Sequence, residues 1–136
     1  MDIESSLRSL RKALVTAAEA AIRETGNALP EKTQLNRLVA ICGEATCAEE
    51  ITSFLYYQAS RRDKLWPRGF VDTVIDRIRG PLDALGGTLR EAPEAERDRA
   101  RVAAWRVYAV FLARAFTYAS SVRDSKKAQD HDRARG

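Results

Sequence analysis

The sequence predicts an all-α protein, a compact bundle of about five helices with a long C-terminal helix. Apolar residues recur at three- and four-residue spacing along nearly the whole chain, and no segment alternates apolar and polar residues between turn signals. Alanine, the strongest helix former, is abundant. A chain of 136 residues can bury roughly two-thirds of its unfolded surface in one core, with no need of a disulfide or metal. Residues 1–123 are therefore read as a single helical-bundle domain, and 124–136 as a polar tail expected to fray.

The first helix is expected from about Asp2 to Thr25, where Ile3, Leu7, Leu10, Leu14, Ala18, Ala21 and Ile22 make one apolar stripe and Gly26 and Asn27 supply a left-handed stop. Pro30 suits the first turn of a short second helix that carries Leu35, Leu38, Val39 and Cys42 and ends at Gly43. Thr46 and Glu49 read as a capping box opening a third helix, which continues through Ile51, Phe54, Leu55 and Gln58 to about Leu65, short of Pro67. The fourth presents Phe70, Val71, Val74, Ile75 and Ile78, meets Gly80-Pro81, and adds one more turn through Leu82 and Leu85. Gly86 to Pro93 is the expected linker. The last helix, from about Glu94 to Arg123, carries a seam of Val102, Trp105, Ala109, Leu112, Phe116 and Ala119.

Several function classes are excluded by what the residues lack. The apolar clusters never approach the ~18 consecutive apolar residues of a membrane span, and the start Met1-Asp2 is not that of a signal peptide, so a cytoplasmic protein is expected. Cys42 and Cys47, five positions apart, match neither a CxxC pair nor half a zinc site; they read as buried small hydrophobes, and the one histidine, His131, lies in the polar tail. Ser60, Ser120, Ser121 and the two cysteines have no histidine partner in reach, the acids sit at helix starts or beside arginines where they stay charged, and Gly86-Gly87 lacks a following Lys-Ser/Thr. Neither catalysis nor a cofactor or metal is expected.

The positive signal is basic. Of 23 Lys+Arg, against 19 Asp+Glu, 18 are Arg, whose planar guanidinium grips phosphate in bidentate fashion and stacks on bases. In the segment Phe54 to Trp66, Tyr57, Arg61 and Lys64 stand four and three apart and would project from one face of a continuous helix. Such an aromatic and cationic stripe is the usual means of holding a single nucleic-acid strand by its backbone, with the ring as a stacking surface. Arg62 and Arg68 flank it. On the last helix Arg99, Arg106 and Arg114 share one side, where they either extend a basic groove or pair with a neighbouring helix or subunit.

Three segments resemble the small helical subunit of the type III-A CRISPR interference complex, the Csm complex. Lys32 to Val39, reading KTQLNRLV, is similar to that family's early T-x-Q-hydrophobic-R helix; Phe54 to Arg61 is similar to its aromatic-Y-Q-x-small-R motif; Trp105 to Tyr118 takes the place of its aromatic, alanine-rich closing helix. Order and spacing agree from about Leu29 to Arg123, although the Glu and Lys of the family's closing E-A-x-x-A-Y-x-K-F have no counterpart in Ala113 to Val122.

The resemblance implies a non-catalytic subunit of an antiviral-defence ribonucleoprotein, present in several copies beside the other subunits of the CRISPR effector complex. It would line the groove that holds guide RNA and target single-stranded RNA. By the same resemblance Arg37 and Arg61 would contact RNA, while Tyr57 and Gln58 would position their helix. The type III-B small subunit is an alternative, and so is a homodimeric helical adaptor or regulator without RNA.

Overall fold

The chain places its longest apolar seam on its last helix, and the other helices are arranged around that seam. In the computed structural model, which describes residues 3–26 and 28–135, the elements are α1 (Ile3–Thr25), α2 (Lys32–Glu44), α3 (Ala48–Ser60), α4 (Arg68–Thr88) and α5 (Glu94–Arg135), with no strand among the described residues. α5 touches all four of the others, and α1 also packs along α4. Asp2 and Asn27, expected at the ends of the first helix, lie outside the described residues.

The α5 face turned to the core carries Ala100, Val102, Ala104, Trp105, Tyr108, Ala109 and Leu112, all buried. Trp105 meets Tyr108 edge-on with ring centroids 5.5 Å apart, and the Tyr108 hydroxyl donates to the Val74 carbonyl at 2.6 Å, pinning α5 to α4. Small residues explain how α1 approaches so closely: Ala17, Ala18, Ala20 and Ala21 form its inner face together with Leu14 and Ile22. α1 stops at Gly26, whose φ of +56° is the left-handed conformation that glycine adopts without a Cβ penalty. The Arg77 guanidinium of α4 pairs with Glu24 across the end of α1.

Element ends depart from the sequence expectation in physically instructive ways. Pro30 is buried ahead of α2 rather than in its first turn, and α2 runs one residue past Gly43. Thr46 bonds through its hydroxyl and its amide to the carboxylate of Glu50, not Glu49, because the N-cap of α3 is Cys47, one residue later than expected. The Thr46 hydroxyl holds the Glu50 carboxyl below its ordinary value. α4 passes through Pro81 and continues to Thr88, since Ile78 before it and Leu85 and Leu89 after it are all buried; the linker shrinks to residues 89–93.

α5 also continues as helix well beyond Arg123, to Arg135, although residues 124–130 are all exposed. Arg123 therefore marks the end of packing, not of helix. Phe116 and Ala119, placed on the seam, are only partly buried. Cys42 is fully buried and Cys47 partly so, and both are free thiols.

Trp105→Ala should cost about 3–5 kcal/mol by chemical denaturation, and Phe116→Ala clearly less, because only the first leaves a closed cavity. Equal losses would contradict the seam. Burial pushes the Cys42 thiol from 9.0 up to about 12, against a smaller opposing pull from the Arg106 guanidinium, and raises the Tyr108 phenol as well. Both groups hold their proton more tightly folded than unfolded, so their contribution is complete below the unfolded pKa and is lost as pH rises. Between about pH 9 and 12 Cys42 should remove about 1.4 kcal/mol of stability per pH unit, so Cys42→Ala should make urea melts shallower in pH by about that amount across the range, leaving above about pH 10 the slope that Tyr108 contributes.

Candidate nucleic-acid interface

The segment expected to present a basic helical stripe is instead a turn built on one buried indole. Pro67 disfavours helical backbone at the residue before it, and α3 ends at Ser60, with Arg61 as an extended C-cap at φ −71° and ψ 148°. The Ser60 hydroxyl returns to the Tyr57 carbonyl at 2.8 Å, and Asp63 Oδ1 accepts the Leu65 amide at 3.3 Å. Lys64 turns the chain with a φ of +56°. Residues 61–65 are all exposed, whereas Trp66 is 1% exposed.

Trp66 is held on three sides. Phe54 of α3 meets it edge-on at 5.8 Å, Phe70 of α4 lies tilted at 6.2 Å, and its indole N–H donates to Gln34 Oε1 of α2 at 2.9 Å. That last bond ties the first turn of α2 to the chain just ahead of α4, so two helix N-termini meet at one side chain. Segments 31–37 and 61–68 together carry Lys32, Arg37, Arg61, Arg62, Lys64 and Arg68 against only Glu31 and Asp63.

The electrostatics of those two termini are unlike the rest of the molecule. α1 has Glu4 in its first turn, α3 has Glu49 and Glu50, and α5 has Glu94 and Glu96, each countering the positive end of its helix dipole. α2 and α4 have no acid in the first turn and no side-chain cap bond at Glu31 or Pro67. Their positive ends add to the basic side chains, an arrangement that favours a bound anion at a cost to helix stability.

The predicted site residues divide accordingly. Arg37, Arg61, Arg62, Lys64 and Arg68 are exposed and gathered around the Trp66 turn, and Tyr57, 63% exposed, stands on the last turn of α3 beside it. The continuous helical face proposed for Tyr57, Arg61 and Lys64 does not exist, because the helix stops before the two cations. Arg61 forms an ion pair with Asp63 at 2.7 Å. Gln58 is 4% exposed, with its Oε1 unpartnered among the described residues, so it cannot reach a strand.

Arg106 is likewise committed elsewhere. Its Nε and Nη2 donate to the Cys42 and Gly43 carbonyls at 2.8 and 3.0 Å, capping the far end of α2, roughly 16 Å from Lys32 by helix rise. Arg114 lies over the Phe111 ring at 5.0 Å on a different face, toward α1, and Arg99 is exposed on α5. Sequence reasoning missed Gln34 and Trp66 as the organisers of the surface. Its readable signals were a Trp-Pro pair inside a basic run and the missing acids after Glu31 and Pro67. Among the described residues no group of three His, Cys, Asp or Glu side chains is placed to hold a metal ion, and no helix is long and apolar enough to cross a membrane.

No protein-family model matches the chain, and neither a curated protein nor a solved structure matches it.

A double-mutant cycle of Trp66→Phe and Gln34→Ala should give a coupling energy of about 1 kcal/mol, the net worth of a buried neutral hydrogen bond. Additive losses would separate α2 from the turn. Lys64→Gly should keep the melting temperature or raise it, because glycine accepts the left-handed backbone freely, while Lys64→Val should lower it.

Proposed function

We propose that the protein is a non-catalytic small subunit of a type III-A CRISPR ribonucleoprotein effector, holding guide RNA and target single-stranded RNA by the phosphate backbone. The observation that carries the reading is that the Trp66–Gln34 bond ties together two segments that lead into helices without first-turn acids and that carry six cations against two acids. The Trp66 indole touches both Lys32 to Val39, through Gln34, and Phe54 to Arg61, through the Phe54 ring, the first two of the three segments that resemble the Csm small subunit.

The chemistry of the proposed role is electrostatic. Arg37, Arg61, Arg62, Lys64 and Arg68 neutralise phosphates, and Tyr57 offers a ring on which a base stacks without being read, so binding is independent of sequence. Arg61 exchanges its pairing with Asp63 for a phosphate oxygen, an exchange that costs little because exposed ion pairs are worth about 0–1 kcal/mol. Guide and target strand identity is left to base pairing. One subunit makes few contacts, and several copies along the complex act as linked sites. The subunit cleaves nothing itself.

The test is a salt titration of single-stranded RNA binding in the assembled complex. Arg61→Ala combined with Lys64→Gly should lower the slope of log K against log salt by about 1 to 1.5, equally for RNAs of different sequence. Asp63→Asn, which keeps the acceptor for the Leu65 amide and removes the competing charge, should tighten binding a few-fold. An unchanged slope with intact helices by circular dichroism contradicts RNA contact at this turn and favours an adaptor without RNA.

A further inference from the structure

We propose that the groove between α1 and α5, away from the basic turn, docks an acidic amphipathic helix of a partner protein. Arg123 Nη2 donates to the Gly26 carbonyl at 3.1 Å, so α5 lies alongside the end of α1, and between them opens a trough of about 710 Å³. It extends from Val15 to Gly26 on α1 and from Phe111 to Arg123 on α5, roughly 16 Å or three helical turns. That length suits the ridge of a helix better than a small molecule.

The floor is apolar and the lip unusually so. Ile22 is buried, Phe111, Ala115 and Ala119 are partly buried, and the two small residues on α5 make the surface concave. Tyr118 and Val122, 73% and 47% exposed, complete an i, i+4, i+7, i+11 stripe with Phe111 and Ala115 that nothing in the described chain covers. A stripe of that spacing is what anchors at i, i+3 or i+4 and i+7 of a partner helix require.

Charge selects the occupant. Arg23, Arg114 and Arg123 line the groove against the single carboxylate of Glu19. Arg114 is laid along the wall by its stacking on Phe111, and Arg123 is fixed across one end by its bond to Gly26. A two-fold dimer through this face would set two patches of the same net positive charge against each other, since a symmetric interface uses the same surface twice. Self-association is disfavoured on that account, and a helix bearing Glu or Asp beside its apolar face is favoured. None of the lining residues lies within segments 31–37 or 61–68, and Leu29, at the end of the groove beside Gly26, comes two residues before the first of them.

The test uses the full chain as bait for a displayed library of amphipathic helices about four turns long, with their polar positions randomised among Glu, Lys and Gln. Enrichment of Glu beside apolar anchors is expected, with at least a tenfold loss of affinity for the selected peptides in Tyr118→Asp and in Val122→Asp, two exposed positions where the fold is checked by thermal melts. The double charge reversal Arg23→Glu, Arg114→Glu should switch the enrichment from Glu to Lys. Enrichment of Lys, no charge preference, no enriched sequence, or equal binding by the Tyr118 and Val122 variants would overturn the proposal. So would sedimentation showing a wild-type dimer that Tyr118→Asp dissociates, because a second copy would then fill the groove.

Discussion

Trp66 sits immediately before a proline that forbids straight continuation of the helix, yet its indole is 1% exposed and spends its one donor on Gln34. The chain must leave α3 early enough to swing that ring inward, and the five residues between Ser60 and Trp66 are consequently displayed to solvent. Burial of one large aromatic side chain thus exposes four charged ones. The turn is closed locally by the Asp63 carboxylate and by the left-handed backbone of Lys64, while Phe54 and Phe70 box the indole from the two helices it connects. A basic surface supported in this way is presented by a rigid element rather than by a free loop.

The same economy governs α2, a helix of 13 residues that has no acid in its first turn and no base in its last. Both ends are secured by side chains from elsewhere: Gln34 near the start accepts from Trp66, and Arg106 of α5 caps the carbonyls of Cys42 and Gly43 at the other. At its C-terminal end the positive charge that a helix can carry in its own last turn is supplied across the core by Arg106. No first-turn acid counters the dipole of α2, whose N-cap is Glu31, or of α4. Such a departure from local optimisation concentrates at sites where a ligand supplies the missing charge.

The bundle itself was legible in the sequence because each helix carries its own apolar stripe. Leu14, Ala18, Ala21 and Ile22 of α1, and Val102, Trp105, Ala109 and Leu112 of α5, are buried as their spacing requires. Tyr108, fully buried and bonded to Val74, fell outside the expected seam because its polar tip hides the fact that a tyrosine can satisfy itself inside a core. The candidate site was half legible. Its cations and Tyr57 were identifiable from composition and spacing, but Arg61 and Lys64 are good helix formers, and local propensity carries no trace of a tertiary bond 32 residues away. Spacing could not show that Gln58 is buried or which helix Arg106 engages, because burial of an amide and capping of a distant helix are decided by neighbours in space. The extension of α5 past Arg123 is the converse, a run whose helical propensity persists where packing has ended.

The central claim, that the turn around Trp66 is a phosphate-binding surface, is tested most directly by ultraviolet crosslinking of single-stranded RNA to the full chain, with the attachment points mapped by mass spectrometry. The account predicts adducts at Tyr57 and within residues 61–68, suppressed by salt and indifferent to RNA sequence. Adducts confined to Tyr118 and the α1–α5 groove, or none above the level of the denatured chain, would contradict it.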